Sequence, residues 1–386
     1  MSQEDQSPVL FEERSCANGM RVGFATLNAP RTLNGFSLAM AHLLSERLAA
    51  WQADAGIAAV VLQGAGEKAF CAGGDLHGLY QSMLAHRASG STAIVDNTFA
   101  AEFFEVEYRL DHAIHHYPKP LLCWGHGIVM GGGLGLMGGA SHRVVSERSK
   151  LAFPEISVGL FPDVGGSWLL GRVPGNAGLF LGLTGALLGP ADAIHAGLAD
   201  VHILEAQRDA VLEAMLQHAW SGDGQADKAG LDALLQGFAS EAPSGPLQQH
   251  AGLIDQLCHD DGLEAIVARL LAVDSEDAWL QAAVKTLRHG APGSARLAYA
   301  LRQQAQGASL ADVFRMEYLA ALHGCAHGDF AEGIRALLID KDRNPRWQHA
   351  SLAQADQAWA QTYFTAPWPA GQHPLADLGH HDNARN

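Results

Sequence analysis

The sequence predicts an α/β fold whose C-terminal region is helical. Over residues 8–205, short apolar runs of strand length alternate with segments of helical periodicity, which is typical of repeated strand–helix units. From residue 206 onward, Ala/Leu-rich stretches with few β-branched residues predict helices instead. The chain has 386 residues, 48% of them hydrophobic, which is enough to bury a large core. We expect an α/β core over 8–205, a helical region over 206–365 and an irregular tail over 366–386.

Local patterns place the individual elements. Alternation over residues 8–27 predicts two strands with a turn at Ala17–Gly19, and apolar residues at helical spacing predict a helix from Asn34 to Trp51. The remaining predicted elements are strands at Ile57–Leu62, Leu121–Trp124 and Arg143–Val145, helices at Ala101–His116, Gly131–Met137, 208–219, 230–238 and 262–272, and loops at 222–226 and 242–246.

Charge and hydropathy exclude several classes of partner. The formal net charge of −16 repels nucleic acid and anionic membranes. No apolar run reaches the roughly 20 residues that a membrane-spanning helix needs. The N-terminal segment MSQEDQSPVL has neither the basic start nor the apolar run of a signal peptide, and it lacks the arginines of a transit peptide.

The cysteines predict a reducing compartment. They are odd in number, widely scattered and without a CxxC pair, so neither a disulfide framework nor a thiolate zinc site is expected. The five positions are Cys16, Cys71, Cys123, Cys258 and Cys325. Together with the N-terminal segment, they lead us to expect a soluble cytoplasmic protein.

Two glycine-rich turns follow predicted strands. One turn, Gly131–Gly133, leads into a helix. The free N–H groups of the first helical turn can donate to an oxygen of a bound molecule that gains negative charge during a reaction. The segment AFCAGGD over residues 69–75 can supply a second N–H donor. Cys71 in this segment has no activating histidine at a recognisable spacing, so we interpret it as a small buried thiol. Either turn could also be a tight connection that binds nothing.

Two carboxylates, Glu155 and Asp163, lie eight residues apart, each directly after a proline. Positioned carboxylates suit general acid/base or nucleophilic work on an acyl group. A helix-capping Glu and a turn Asp are the structural alternatives.

These segments together resemble the crotonase superfamily. AFCAGGDL and HGIVMGGGLGL resemble its two oxyanion-loop motifs, and FPEISVGLFPDVGGSWLL resembles a motif of its 3-hydroxyisobutyryl-CoA hydrolase branch. The segment MEYLAALHGCAHGDFAEGIRALLIDKDRNPRW over residues 316–347 resembles the C-terminal signature of the same branch. The similarity covers residues 10–200 and 295–350, and it implies a crotonase-like spiral of repeated strand–helix units with a helical C-terminal region.

The resemblance also implies roles for single residues. The backbone N–H groups of Ala72 and Gly132 are expected to form the oxyanion hole, with Gly73 as the alternative in the first loop. Glu155 is expected to be the principal catalytic carboxylate, and Asp163 the second acidic group, near a 3-hydroxyl of the substrate. The residues expected to contact the substrate are Glu107, Gly73, Gly74, Asp75 and Gly131.

One departure from the superfamily pattern favours the hydrolase branch. Hydratases carry a second catalytic glutamate three residues after the middle glycine of GGG, and that position here is Gly135. Asp163 stands where hydratases usually have a small residue. The resemblance therefore implies hydrolysis of a short 3-hydroxyacyl-CoA, such as 3-hydroxyisobutyryl-CoA or 3-hydroxypropionyl-CoA.

Cofactor and partner expectations follow from this chemistry. Coenzyme A is part of the substrate and leaves as a thiolate, so no metal and no redox cofactor is expected. The expected partner is the acyl-CoA itself, without nucleic acid or membrane, and the sequence leaves a homo-oligomer open.

Other enzyme classes fit less well. Residues 133–138 spell GxGxxG, but the next predicted strand ends near Glu147, which is too early for the acidic residue that a dinucleotide site needs at the end of that strand. The chain contains no GxSxG, GxxxxGK[ST] or HExxH. An enoyl-CoA isomerase or hydratase of the same superfamily remains the nearest alternative, and a non-catalytic acyl-CoA-binding member the more distant one.

Overall fold

The computed structural model describes residues 7–369 and 371–379. Its strands form a six-stranded sheet in the order β1-β2-β3-β5-β7-β9 and a three-stranded sheet in the order β4-β6-β8. The strands are β1 (Val9–Ser15), β2 (Arg21–Leu27), β3 (Ile57–Gly64), β4 (Ala69–Cys71), β5 (Leu121–Gly125), β6 (Ile128–Met130), β7 (His142–Val145), β8 (Lys150–Ala152) and β9 (Val201–His202).

Helices separate the strands and make up most of the chain after residue 205. In the first half they are α1 (Leu38–Ala53), α2 (Leu76–Ser89), α3 (Thr98–His115), α4 (Gly132–Gly138), α5 (Gly166–Leu170), α6 (Ala177–Thr184) and α7 (Pro190–His195). In the second half they are α8 (Arg208–Gln217), α9 (Gly224–Gln236), α10 (Pro246–Gln249), α11 (Ala251–Leu257), α12 (Leu263–Leu271), α13 (Ala278–His289), α14 (Pro292–Gln304), α15 (Leu310–His327), α16 (Phe330–Ile334) and α17 (Gln357–Thr362).

The chain folds into two compact units that interleave along the sequence. Unit 1 comprises residues 1–74, 110–151 and 188–245, and unit 2 comprises residues 75–109, 152–187 and 246–386. Domain boundaries at residues 205 and 365 therefore stay a prediction.

The large sheet of unit 1 explains the strand pattern of the sequence. The turn after Ser15 pairs β1 and β2 antiparallel, whereas β2, β3, β5, β7 and β9 pair in parallel. Parallel neighbours need long connections, usually through helices, and are covered on both faces, so they read as continuous apolar runs. Ile57–Leu62 and Leu121–Trp124, predicted as strands, are indeed fully buried in β3 and β5.

Helices α8 and α9 cover one face of this sheet. Their apolar side chains join those of the strands in one buried cluster, which includes Val22, Phe24, Val61, Leu122, Trp124, Val211, Leu212, Met215, Leu231 and Leu235. The Ala/Leu-rich stretches that form α8 and α9 are therefore helices, as predicted, and the apolar side of each helix packs on the core.

Several boundaries differ from the prediction, and two of these differences have a clear physical cause. The first helix begins at Leu38 rather than Asn34, because Asn34 adopts a left-handed conformation (φ 55°) and Ser37 caps the helix by accepting the Met40 N–H. The segment 222–226 is only partly a loop, since Asp223 accepts two backbone N–H groups and starts α9 at Gly224. Asp223, which was predicted to lie in a loop, is therefore a helix cap, as is Ser37.

No helix in the described ranges combines the length and apolarity needed to cross a bilayer. The start of the N-terminal segment, residues 1–6, lies outside the described residues, as do residue 370 and residues 380–386 of the tail. The described part of the tail, residues 366–369 and 371–379, contains turns and bends but neither a helix nor a strand.

Candidate functional site

In unit 1, the two glycine-rich turns leave neighbouring strands at the same edge. Strand β4 pairs in parallel with β6, with Cys71 opposite Val129. The carboxyl ends of parallel strands lie side by side, so the loop 72–74 after β4 and Gly131 after β6 are adjacent. The fold therefore brings together the two loops that the sequence singled out.

Helix α4 begins directly against the first loop. Gly131 takes a conformation with φ 48° and ψ −123°, which only glycine adopts readily, and turns the chain into the helix. A Cβ atom on Gly133 would lie 2.3 Å from the Cys71 carbonyl oxygen, so a side chain at this position is excluded. Among the described residues, no backbone carbonyl accepts the Gly132 N–H. The role of this first-turn amide as an oxyanion donor stays a prediction.

The structure does not support Ala72 as the second donor. The Ala72 N–H already donates to the Leu33 carbonyl at 3.1 Å. Two residues on, the Gly73 carbonyl accepts the Phe36 N–H at 2.8 Å. Both groups therefore point toward the segment 33–36.

Gly74 is the better donor in this loop. The N–H of Gly74 and the C=O of Gly73 belong to one trans peptide unit and point in opposite directions. Because the Gly73 carbonyl points toward the segment 33–36, the Gly74 N–H points away from it. No backbone carbonyl of the described chain accepts that N–H. Gly74 was expected only to contact the substrate, and the peptide geometry leaves its N–H, rather than that of Ala72, without a backbone acceptor in the described chain.

Asp75 was also expected to contact the substrate, and in unit 2 it caps a helix. Its side chain accepts the Gly78 N–H at 3.1 Å and caps helix α2. A carboxylate used in this way satisfies the first turn of the helix.

In unit 2, Glu155 opens a short 3₁₀ helix, Glu155–Val158, and is only 5% exposed. Its Oε2 atom has no hydrogen-bond partner among the described residues. Burial raises the pKa of the Glu155 carboxyl well above its ordinary value, and the charges of Asp163 and Glu317 raise it further. A buried, unpaired carboxylate oxygen is costly unless something else satisfies it, which makes Glu155 a functional candidate.

Asp163 is held by Tyr108. The Tyr108 hydroxyl donates to Oδ2 of Asp163 at 2.8 Å, and both side chains are buried. Burial raises the pKa of Asp163 to about 6, although the bond from Tyr108 lowers it. The pKa of Tyr108 is itself raised, first by burial and next by the charge of Asp163. The tyrosine is therefore a donor at every physiological pH, and it fixes the direction of the Asp163 carboxylate.

Glu107 precedes this tyrosine on α3 and is 2% exposed. Its charge contributes to the raised pKa of Tyr108. Glu107 therefore belongs to the same acidic region as Asp163, and its contact with the substrate stays a prediction.

Sequence reasoning missed Tyr108 and Glu317. Glu317 is fully buried on α15, where it accepts the N–H groups of Gly165 at 2.7 Å and Ser167 at 2.9 Å. A signal was available, because Glu317 falls at helical spacing on the apolar side of a helix with Leu310 and Phe314. A carboxylate among core positions needs buried partners.

Comparison with known proteins identifies the family of this chain. The sequence profile of the family described as enoyl-CoA hydratase/isomerase matches residues 22–364. The chain belongs to the enoyl-CoA hydratase/isomerase family. The predicted membership of the crotonase superfamily is therefore confirmed.

Two curated relatives carry the same name. A Danio rerio protein named 3-hydroxyisobutyryl-CoA hydrolase, mitochondrial, is 36% identical over 376 residues, which cover 95% of this chain and 91% of the relative. The Homo sapiens protein of the same name is 35% identical over 364 residues, which cover 92% of this chain and 88% of the relative.

Solved structures of family members confirm the crotonase-like α/β fold. An enoyl-CoA hydratase from Rhodobacter sphaeroides superposes with a TM-score of 0.81 at 35% identity and covers 95% of this chain and 99% of its own. A carnitinyl-CoA dehydratase from Mycobacterium thermoresistibile gives a TM-score of 0.82 at 36% identity, with coverage of 94% and 98%.

The expected cytoplasmic location is wrong on this comparison. The Danio rerio and Homo sapiens relatives are both named mitochondrial. The buried thiols indicate a reducing environment, but they do not distinguish one reducing compartment from another. The inference from cysteine usage was therefore too specific.

Proposed function

We propose that this family member hydrolyses the thioester of a short 3-hydroxyacyl-CoA, with 3-hydroxyisobutyryl-CoA as the first candidate substrate. The names of the relatives support the reaction and the acyl group. The observation that carries the proposal is the buried acidic pair, an unpaired Glu155 oxygen with Asp163 aimed by Tyr108.

Glu155 is the proposed catalytic carboxylate. As nucleophile it attacks the thioester carbon, the C–S bond breaks and coenzyme A leaves as the thiolate, after which water cleaves the mixed anhydride. As general base it removes a proton from water while the water oxygen attacks the same carbon; the C–S bond then breaks and coenzyme A leaves as the thiolate. Both routes require the ionised form of Glu155. Because the pKa of Glu155 is raised, this ionised form is a stronger base than an ordinary carboxylate.

The two free amides of unit 1 are the proposed oxyanion hole. In the tetrahedral transition state the thioester oxygen becomes negative, and the N–H groups of Gly132 and Gly74 then donate to it. Preorganised backbone donors of this kind typically contribute roughly 10²–10³ in rate for each donor.

A hydratase is the alternative, because the solved structure from Rhodobacter sphaeroides is named an enoyl-CoA hydratase and that from Mycobacterium thermoresistibile a carnitinyl-CoA dehydratase. Gly135 argues against it, because hydratases of the superfamily carry their second catalytic glutamate at this position. Gly135 is buried in α4 and brings no carboxylate. The chain therefore has one of the two groups that hydration of a double bond uses.

Glu155→Gln tests the catalytic carboxylate. The variant keeps the shape of the side chain but can neither attack nor accept a proton, so we expect kcat for thioester hydrolysis to fall at least about 10²-fold. Thiol release from 3-hydroxyisobutyryl-CoA measures it. The matched control, Glu276→Gln, changes an exposed glutamate of the same unit and should leave the rate unchanged. Turnover near wild type in folded Glu155→Gln would exclude the assigned role.

Crotonyl-CoA tests the hydratase alternative. Since Gly135 supplies no second carboxylate, we expect negligible hydration of this substrate by the wild-type protein. Loss of the enoyl-thioester absorbance measures hydration, and the thiol-release assay on the same preparation shows that the enzyme is active. A hydration rate comparable to thioester hydrolysis would restore the hydratase assignment.

The substrate hydroxyl tests the role of Asp163. Tyr108 donates to only one oxygen of Asp163, Oδ2, so a substrate hydroxyl can donate a further hydrogen bond to this carboxylate, whereas a methyl group cannot. We expect kcat/KM for 3-hydroxyisobutyryl-CoA to exceed that for isobutyryl-CoA by more than about tenfold, well within the discrimination that hydroxyl-binding sites reach. Asp163→Ala should reduce both the preference and the rate. Equal values for the two thioesters in the wild type would remove the physical basis for a 3-hydroxyacyl substrate.

A further inference from the structure

A strained turn in unit 2 carries Asp163. Val164, the next residue, has φ 54°, a left-handed conformation that is a true outlier for a β-branched side chain. Gly165 follows with φ 79°, and the Gly166 N–H closes the turn on the Asp163 carbonyl at 2.7 Å. Strain of this kind persists only where surrounding contacts impose it.

Glu317 supplies those contacts. One carboxylate oxygen, Oε2, accepts the Gly165 N–H and the other, Oε1, accepts the Ser167 N–H. A single buried side chain thus holds two backbone groups on the far side of Val164 from Asp163. Bonds from N–H groups to a carboxylate are among the stronger hydrogen bonds in proteins.

The same helix face also touches the other support of Asp163. Phe314 lies one turn before Glu317 on α15, and its ring is 5.5 Å from the ring of Tyr108. A Cβ atom on Gly165 would lie 3.3 Å from the Phe314 ring. Helix α15 therefore contacts both the turn that carries Asp163 and the tyrosine that donates to its carboxylate.

We propose that Glu317 is a positioning residue for Asp163: by binding the Gly165 and Ser167 amides it fixes the strained turn and aims the Asp163 carboxylate at the substrate hydroxyl. This inference rests on the proposed function. It also gives a physical role to the start of the segment 316–347, which resemblance alone marked as a signature. Glu317 does not touch the reacting atoms in this account.

Glu317→Gln tests the proposal. Glutamine has nearly the same size, but it replaces one of the two carboxylate oxygens with an NH₂ group, which is a donor. This NH₂ group cannot accept the backbone N–H that faces it, so one of the two hydrogen bonds that hold the turn is lost. The readout is the ratio of kcat/KM for 3-hydroxyisobutyryl-CoA to that for isobutyryl-CoA, since a loss of folded enzyme alone lowers both values equally. We expect this ratio to fall at least about fivefold, because displacement of a group by about 1 Å can cost up to 10²-fold.

Asp227→Asn is the matched control. Asp227 is a buried carboxylate of unit 1 that also accepts two backbone N–H groups, those of Ser221 and Gly222. The variant should lower the melting temperature, as Glu317→Gln does, yet leave the substrate ratio unchanged. The effect of Glu317→Gln on the ratio should also disappear in an Asp163→Ala background, because the positioning residue acts through Asp163.

The possible failures are distinguishable. A wild-type enzyme without a preference for the hydroxyl counts against the proposed function. A wild-type preference that folded Glu317→Gln retains in full, or an effect that persists undiminished without Asp163, overturns only the positioning role. If Glu317→Gln does not fold, Glu317→Asp, which keeps the charge but draws both oxygens back by one methylene, is judged by the same two criteria.

Discussion

The burial of carboxylates without a paired cation is the constraint on which the site in unit 2 depends. Glu155, Asp163 and Glu317 are each at most 5% exposed, and burial is the largest cause of the raised pKa in all three. In the described chain, the bonds made to Asp163 and Glu317 come from the Tyr108 phenol, from backbone amides and from the Ser167 hydroxyl, not from lysine or arginine. Asp163 and Glu317 are therefore held in place by neutral donors. The affinity of Glu155 for a proton stays high as well, which suits a base that acts near neutral pH.

Unit 1 depends on a different constraint, the direction of backbone amides. The close approach of Gly133 to Cys71 sets α4 against the loop after β4, and the trans peptide between Gly73 and Gly74 sends one amide away from the neighbouring segment. Neither effect requires a functional side chain. Glycine is needed at position 133 because a Cβ atom there would push the two loops apart.

Much of the fold and part of the site could be predicted from the sequence. Buried parallel strands such as Ile57–Gly64 leave a continuous apolar run, and α8 shows its periodicity, so both were predicted. Glu155 and Gly132 belong to recognisable motifs. The donor in the first loop was misplaced because only the hydrogen bonds of Ala72 and Gly73 reveal which amide is occupied. Glu317 lies 154 residues beyond Asp163 in the chain, and a contact between two such distant residues leaves no local pattern.

The most direct test of this account is the pH dependence of kcat/KM for 3-hydroxyisobutyryl-CoA. Glu155 must be ionised to act, so a raised pKa makes kcat/KM fall as the pH decreases through a midpoint well above the ordinary carboxyl value of 4.5. Asp163→Asn removes one charge that raises this pKa while keeping an acceptor for Tyr108, so the midpoint should move to lower pH. A profile that stays flat down to pH 4.5 would contradict the catalytic role of Glu155. A midpoint that Asp163→Asn leaves unchanged would contradict the claim that the charge of Asp163 raises the pKa of Glu155.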